Sequence, residues 1–560
     1  MRFLPIFLII ITILSCQTKE KETLYFGGRI LTMDGKSPAY IEAVVERDGK
    51  TVFTGEKKEA FKKYPDANRV NLEGKAMLPS FLDSHGHFVA AIQMVNQVNL
   101  SIPPVGNVES IKDIQKSLVN FQRSNQIPKG EWVVGWGYDN EGLLEKRHVT
   151  KIDLDEVLPE HKVMLIHVSG HGIVLNSKAL SWANINNETK TPSGGVIARL
   201  NDSNEPTGLL METAYFSLVL DKLPPMSEVD MLKLLDKSQQ LYASFGYTHM
   251  QDGATLAKDI KFFKKAAKNK SLYLDLVALP VFTEYEKWFD KDDFIFGKYE
   301  NHLKFQGVKM LQDGSPQGKT AFISDEYLTG GPGGQRHWHG EGILKKDEFL
   351  NLFKLFSDKG LQIFTHANGD AAIDEVIEAT KFSGIDASND RRFVVIHSQF
   401  QRPDQLDEYV KLGLTPSYFT NHTFFWGDVH IKNIGKSKAS FISPIKAAVD
   451  KGLIYSNHSD FNVTPLDPFF ILWTATTRKT REGVILGEEQ RVDMYTALQG
   501  LTTGPAYQVF EEERKGKIKV GFLADYVILD KDPMRITGDE IKDIQVIETI
   551  KNGKVVYSKN

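Results

Sequence analysis

The chain is 560 residues long, 41% hydrophobic and 25% charged, the balance of an ordinary globular protein rather than a disordered or membrane-embedded one. Lys plus Arg number 68 against 72 Asp plus Glu, and the net charge of -4 offers no basic field for a phosphate backbone, which speaks against nucleic acid as a partner. The single cysteine, Cys16, leaves no disulfide within the chain and no cysteine-based zinc site.

Residues 1–16 read as a separate unit. Arg2 precedes an apolar run at 3–14, short of the ~20 residues that span a bilayer but suited to a signal-peptide core. Ile13-Leu14-Ser15-Cys16 resembles the bacterial lipoprotein box, which implies cleavage before Cys16 and a lipid on that residue. Residues 17–23 are then a polar tether. The expectation is a protein of the bacterial cell envelope, facing periplasm or cell surface, whose membrane contact is that lipid.

Short β-favouring runs follow at 24–30, 43–45 and 51–55, separated by Asp34-Gly35 and Asp48-Gly49, dipeptides that favour tight hairpins. Runs at 524–529 and 547–557, the latter broken by Asn552-Gly553, have the same character. Residues 24–76 and 512–560 are therefore expected to form one small β-sandwich domain from both chain ends. Between them, over 77–511, strand-like runs alternate with amphipathic helical stretches, the pattern of βα units around a parallel sheet. Candidate strands fall at 81–83, 248–251, 274–279, 305–311, 362–365, 393–396, 415–419 and 453–456, the eight that a closed barrel needs. The fold class predicted is α/β, a (β/α)₈ TIM-like barrel. The long gap after the first strand, about 95–240, carries turn-rich stretches such as Pro192-Ser193-Gly194-Gly195 and reads as an inserted subdomain roofing the site.

Polar residues capable of holding a metal stand where strands run out. His85-Gly86-His87 follows the first, and on a strand residues i and i+2 share a side, so the two imidazoles can grip one ion. His366 and His397 end the fifth and sixth, and Asp460 comes soon after the eighth. Ligands at the C-terminal ends of barrel strands are where such folds place their chemistry. Imidazole and carboxylate without thiolate suit one or two Zn²⁺ or a similar divalent ion, with a position left for water.

At this point the chain resembles the amidohydrolase superfamily, in the branch that includes the N-substituted formamide deformylases. The likeness is carried by Leu78-Pro79-Ser80-Phe81-Leu82-Asp83-Ser84-His85-Gly86-His87, then in order by Trp136-Gly137-Tyr138-Asp139, Ser169-Gly170-His171, Asn176-Ser177-Lys178-Ala179-Leu180, Val308-Lys309, Asp313-Gly314-Ser315, Thr320-Ala321, His366-Ala367-Asn368-Gly369-Asp370 and Ser459-Asp460. The resemblance implies that His85 and His87 bind one metal, with Asp460 at that metal and the attacking water, and that His366 and His397 bind a second. Lys309 matches a lysine that many relatives carry as a CO₂ adduct (N6-carboxylated) bridging the ions. If only one metal binds, His397 becomes a hydrogen-bond donor or proton shuttle near the developing oxyanion. Asp460 would take the proton of the water and return it to the leaving nitrogen.

The same resemblance implies that Trp136, Asp139 and His171 line the substrate pocket, although capping suits Asp139 equally. Asp313 is either a turn former or a carboxylate that orients Lys309 or a histidine. The aromatics Phe424, Phe425 and Trp426 are candidates for an apolar wall. His337-Trp338-His339 repeats the His-X-His spacing but sits in a glycine-rich stretch at 330–342, where a substrate-covering loop is expected instead of a ligand pair. Two departures stand out: Ser315-Pro316-Gln317-Gly318-Lys319 replaces the family's usual Ser-Leu-Gly-Ser-Arg, and Ile396 stands where an acidic residue often precedes the histidine.

The function expected is metal-dependent hydrolysis of an amide-type C–N bond in a small molecule, N-acyl, N-formyl or cyclic. Deamination of a heterocycle or amidine is the alternative, and a non-catalytic substrate-binding lipoprotein the reading from another class. The sequence leaves the oligomeric state open, with a homodimer among the options.

Overall fold

The computed structural model describes residues 22–559 except positions 104, 141, 169–171, 193–194, 201, 224–225, 290–293 and 333–334. The expected signal peptide with Cys16, and His171, lie outside the described residues. No helix among the described residues is long and apolar enough to cross a membrane.

The alternating pattern folds into a ring of parallel strands. Among the described residues these are β1 (Phe81–Leu82), β2 (Tyr247–Thr255), β3 (Asp275–Pro280), β4 (Gly307–Leu311), β5 (Gln362–Ala367), β6 (Val394–His397), β7 (Thr415–Tyr418) and β8 (Ser456–Asn457). Each pairs with the next in parallel. The exception is the step from β3 to β4, made by the short run Leu303–Phe305 beside β3 and a bridge from Val281 to Lys309. Between β8 and β1 the chain at Gly500 and Leu501 fills the seam: Leu82 N–H donates to Leu501 O at 2.9 Å and Asn457 N–H to Gly500 O at 2.9 Å. The last strand lies later than the expected 453–456, because its ladder starts only where β7 is ending, at Ser417 opposite Ser456.

Alternation decides which residues fill the ring. Val277, Leu279, Phe364, Val394 and Ile396 form one inner cluster, whereas Leu276, Ala278, Ile363 and Val395 face the helical layer outside. That layer is built from amphipathic helices such as Lys346–Asp358, which buries Phe349, Leu350, Phe353 and Phe356 along one stripe. Helix Glu228–Ser244 also packs there through Leu234, Leu235, Tyr242 and Ala243, so the inserted sheet ends before it.

The insertion forms its own six-stranded sheet, running in space from Gly195–Arg199 through Pro206–Glu212, Gly172–Leu175, Lys162–His167 and Trp132–Tyr138 to Val98–Asn99. Separate cores cover it, one around Leu118, Val133 and Leu165, the other around Ile173, Leu180 and Leu210.

The two chain ends meet in an eight-stranded sheet, stitched by Tyr526–Leu529 running antiparallel to Ala76–Pro79. Where two packed sheets were expected, hydrogen bonding runs through one. The reason is Thr23–Leu31, whose register slips between Phe26 and Ile30, so that its first half pairs with Asn68–Asn71 and its second with Ala76–Pro79. Tyr526 and Ile528 then point into the core of this sheet, while Val527 and Leu529 pack on the barrel.

A buried ion cluster ties this sheet to the bottom of the barrel. The Asp275 carboxylate, at the start of β3, meets Lys515 and Lys551 at 2.7 Å each and His302 at 2.6 Å, and Lys551 also reaches Asp525 at 2.7 Å. Burial alone would raise the pKa of Asp275, but the two ammonium groups and His302 outweigh it and hold it well below the usual carboxylate range. Neutralising Asp275 leaves Lys515 and His302 without their carboxylate and Lys551 with Asp525 alone. Asp275→Asn is therefore expected to cost about 3–5 kcal/mol in urea unfolding. Because the folded-state pKa is depressed, this contribution is present above the ordinary aspartate value and fades as pH falls through the folded one. The gap between wild type and variant should accordingly narrow in acid.

Candidate metal centre and active site

The histidine pair after β1 is held by its surroundings and not by strand geometry, since β1 stops at Leu82 and His87 already precedes helix Phe88–Met94. His85 N–H donates to Asp83 Oδ1 at 3.2 Å, and His87 N–H donates to Phe461 O at 2.6 Å. A side chain at Gly86 would bring its Cβ to 2.5 Å from Asp83 Oδ2, so the spacer between the two histidines has to be glycine. The expected common face thus arises from a tight turn on buried Asp83, whose second oxygen accepts from Tyr242 Oη at 3.3 Å.

Three donors converge here. His87 Nε2 lies 3.2 Å and His85 Nε2 3.5 Å from Asp460 Oδ1. Ligand atoms ~2.0–2.2 Å from one tetrahedral ion are about 3.3 Å apart, so these separations fit a shared divalent metal. The candidate atoms of His85, His87 and Asp460 all lie within 4.8 Å of one another. His85 Nδ1 sits 3.2 Å from Gln251 Oε1, and donation there puts the ring proton on Nδ1 and leaves Nε2 bare for a cation. Burial and the nearby Lys309 hold the His85 pKa well below its ordinary value, so the ring is a neutral ligand. Burial also acts on His87, but the Asp460 carboxylate overrides it and raises that pKa.

The second pair stands beside the first. His366 Nδ1 and His397 Nε2 are 3.1 Å apart, and the rings of His85 and His397 are 5.5 Å apart between centroids. His366 Nε2 lies 2.8 Å from the Asn368 side-chain amide and 3.3 Å from Gly314 O, contacts that hold the ring with Nδ1 toward His397. Lys309 enters from β4 with Nζ 3.3 Å from His85 Nε2; burial lowers its pKa to about 7. His397 (φ 74°) and Asp460 (φ 52°) both adopt left-handed backbone, uncommon for residues with a side chain and characteristic of strain kept for function. Ile396 already faces inward, so plain alternation would turn His397 away from the centre.

Asp313 faces His366 rather than Lys309. Its oxygens accept from the backbone N–H groups of Asn368 (2.9 Å), Gly369 (2.7 Å) and Phe322 (3.0 Å) and one lies 3.6 Å from His366 Nε2. It therefore clamps the turn after β5 that carries His366.

These groups line a pocket of about 300 Å³ together with Leu311, Ser315, Pro316, Gln317, Phe419 and His422. Gln317 and Val463 also belong to an outer cleft of about 680 Å³, walled by Met94, Trp136, Asp139, Ile166 and Val168 from the insertion side and by Phe425, Trp426 and Arg481 from the barrel. Trp136 and Asp139 thus stand in the approach to this centre and not against it. His337 is 82% exposed at its side chain and pairs with Glu326 at 3.0 Å, away from the centre, as expected for a loop.

Sequence reasoning missed His458, Gln251 and His422. The His458 ring is buried, with its centroid 5.1 Å from those of both His85 and His397. Its position two residues before Asp460, directly after β8, was the available signal. Among the described residues neither of its ring nitrogens has a hydrogen-bond partner, and His397 Nδ1 lacks one too. Unpaired buried polar atoms on this scale fit a centre built to hold cations.

Comparison with known proteins agrees with this geometry. The family described as "Amidohydrolase family" matches residues 69–557. The chain belongs to the amidohydrolase family. A Bacillus subtilis relative named amidohydrolase YtcJ is 28% identical over 554 residues, covering 96% of this chain and all of that protein. An N-substituted formamide deformylase of Arthrobacter pascens is 25% identical over 551 residues, covering 97% of this chain and 99% of that one. Among solved structures, an uncharacterized metal-dependent hydrolase from Pyrococcus furiosus superposes with a TM-score of 0.71 at 22% identity, over 92% of this chain and 100% of that one. The family's parallel-barrel architecture is therefore the fold of this chain.

Proposed function

We propose that this amidohydrolase cleaves an amide-type C–N bond in a small molecule with water, using one or two divalent ions, Zn²⁺ being the best match to the donors. The observation that carries the reading is the convergence of His85, His87 and Asp460 on one point beside His366, His397 and Lys309. A divalent ion there would polarise the scissile carbonyl and make a water acidic enough to attack near neutral pH.

Asp460 does the proton work. Burial would raise its pKa, but the adjacent His87 imidazole and the field of His397 and His85 hold it well below the ordinary carboxylate range, so it is an anion at neutral pH. It takes the proton of the attacking water at a carboxylate oxygen and gives it to the leaving nitrogen, serving as base and then acid. The inner pocket, at about 300 Å³, suits a small acyl group, while Trp136, Phe425 and Trp426 offer apolar surface to the remainder.

N-formyl and N-acetyl amines, including N-substituted formamides, together with cyclic imides are the compounds to assay, alongside metal analysis of the purified protein. A carboxylate released with an organic amine supports amide hydrolysis. Ammonia as sole nitrogen product points to deamination, and no turnover by the metal-loaded protein would sink the proposal.

Lys309 is proposed as a carboxylated ligand. Its lowered pKa leaves a large share of uncharged amine near neutrality, whose lone pair can add to CO₂ with loss of one proton. The carbamate would replace a repelled ammonium by an anion able to help hold a divalent cation beside His85. Native mass spectrometry should find the mass of one CO₂ that is lost on denaturation. Lys309→Met should lower metal affinity at least about tenfold, a loss typical even of groups that merely support ligands.

Attachment to the cell envelope through a lipid on Cys16 is proposed on the sequence alone. Cys16→Ser should move the protein from the membrane to the soluble fraction after cell lysis.

A further inference from the structure

We infer that His422 presents an Nε2–H to the acyl oxygen of the substrate, with its tautomer set by His430 behind it. This rests on the amide-hydrolase reading above.

His422, Trp426 and His430 stand four residues apart on helix Asn421–Ile434 and so share one face. The rings of His422 and His430 are nearly parallel, at 12°, with Nδ1 of the first 3.0 Å from Nε2 of the second. Both side chains are buried, and Phe419, Trp426 and Phe400 pack against them. Rings in such a place are neutral, each with one donor and one acceptor nitrogen.

A single proton occupies the bond between them, and His430 decides which ring owns it. Among the described residues Nδ1 of His430 is buried without a partner. If His422 donated, His430 would have to carry its own proton on that nitrogen, an orphaned buried N–H. A bare lone pair there is the less costly choice. His430 is therefore protonated on Nε2 and donates, Nδ1 of His422 accepts, and the proton of His422 sits on Nε2.

His422 lines the inner pocket together with His85, His87, His366, His397 and Asp460, and Nε2 is its one nitrogen not engaged by His430. The tautomer separates the roles. His85 has a bare nitrogen turned to the centre, whereas an N–H cannot ligate a cation and can only donate. Its natural acceptor is the carbonyl oxygen, whose negative charge grows as water adds, and a fixed donor in a dry pocket favours that charge. Tilted Trp426, with its ring centroid 4.5 Å away, holds the imidazole in place.

His422→Leu, which keeps volume and removes the donor, is expected to lower kcat about 10²- to 10³-fold with metal content unchanged. His422→Gln, which can return an amide N–H to a similar position, should recover most of that loss. His430→Leu should lower kcat less, because it frees the tautomer of His422 without removing the ring. The nitrogen chemical shifts of His422 in histidine-labelled, zinc-loaded protein should show Nε2 protonated in wild type and a tautomer mixture in His430→Leu. Full kcat in His422→Leu, loss of metal from it, or Nδ1 found protonated would each overturn the assignment. If wild type hydrolyses none of the amides, the hydrolase reading falls, and the nitrogen shifts still decide the tautomer.

Discussion

Asp460→Asn is expected to lower kcat by about 10²–10⁴-fold on any amide the wild type hydrolyses, the usual worth of a positioned acid–base group. The substitution keeps shape and volume and one oxygen near His87 Nε2, which now lies 3.2 Å from Asp460 Oδ1. What it removes is basicity, since an amide cannot hold the proton of water between attack and departure of the amine. The backbone at 460 is left-handed (φ 52°), a conformation that asparagine tolerates as well as aspartate, so the fold should survive. Loss of the negative charge also weakens the grip on the ion, and kcat must be measured with metal in excess. Retained turnover under those conditions would remove Asp460 from proton transfer. Unchanged KM with the fall in kcat would locate the loss in the transition state rather than in substrate binding.

How much of this centre could be read beforehand follows from what a linear pattern can encode. Strand ends were legible because hydrophobic runs such as 362–365 stop abruptly at a polar residue, and a barrel collects those stops at one rim. His85, His366, His397 and Asp460 are found together for that reason. The local geometry was not legible. His85 and His87 share a face through the clamp of Asp83 and not through strand periodicity, and His397 reaches the centre only through a left-handed backbone. His458 was signalled only by standing two residues before Asp460, and His422 stayed hidden because nothing in its neighbourhood repeats a ligand spacing. Their roles arise from packing across β7, β8 and helix Asn421–Ile434, which only three dimensions supply. The end domain shows the same limit: alternation announced strands, but the slip inside Thr23–Leu31 decides that they join one sheet.

His85→Ala should abolish detectable turnover and remove one equivalent of bound metal, because it deletes the ligand most fully buried at the centre, 1% exposed. The effect on stability is the sharper test. Among the described residues His397 Nδ1 and both nitrogens of His458 lie buried without hydrogen-bond partners, and a cation bound among His85, His87 and Asp460 binds the folded chain but not the unfolded one. Such a ligand at a thousand times its Kd stabilises by about 4 kcal/mol. Wild type stripped with a chelator should therefore unfold at lower temperature and regain its Tm on titration with Zn²⁺. His85→Ala should start near the stripped value and gain little from added metal, since two donors remain where three converged. A variant that still shows the full metal-dependent rise in Tm would mean that the ion is held elsewhere, and that the meeting of β1 and β8 at this rim is an accident of packing.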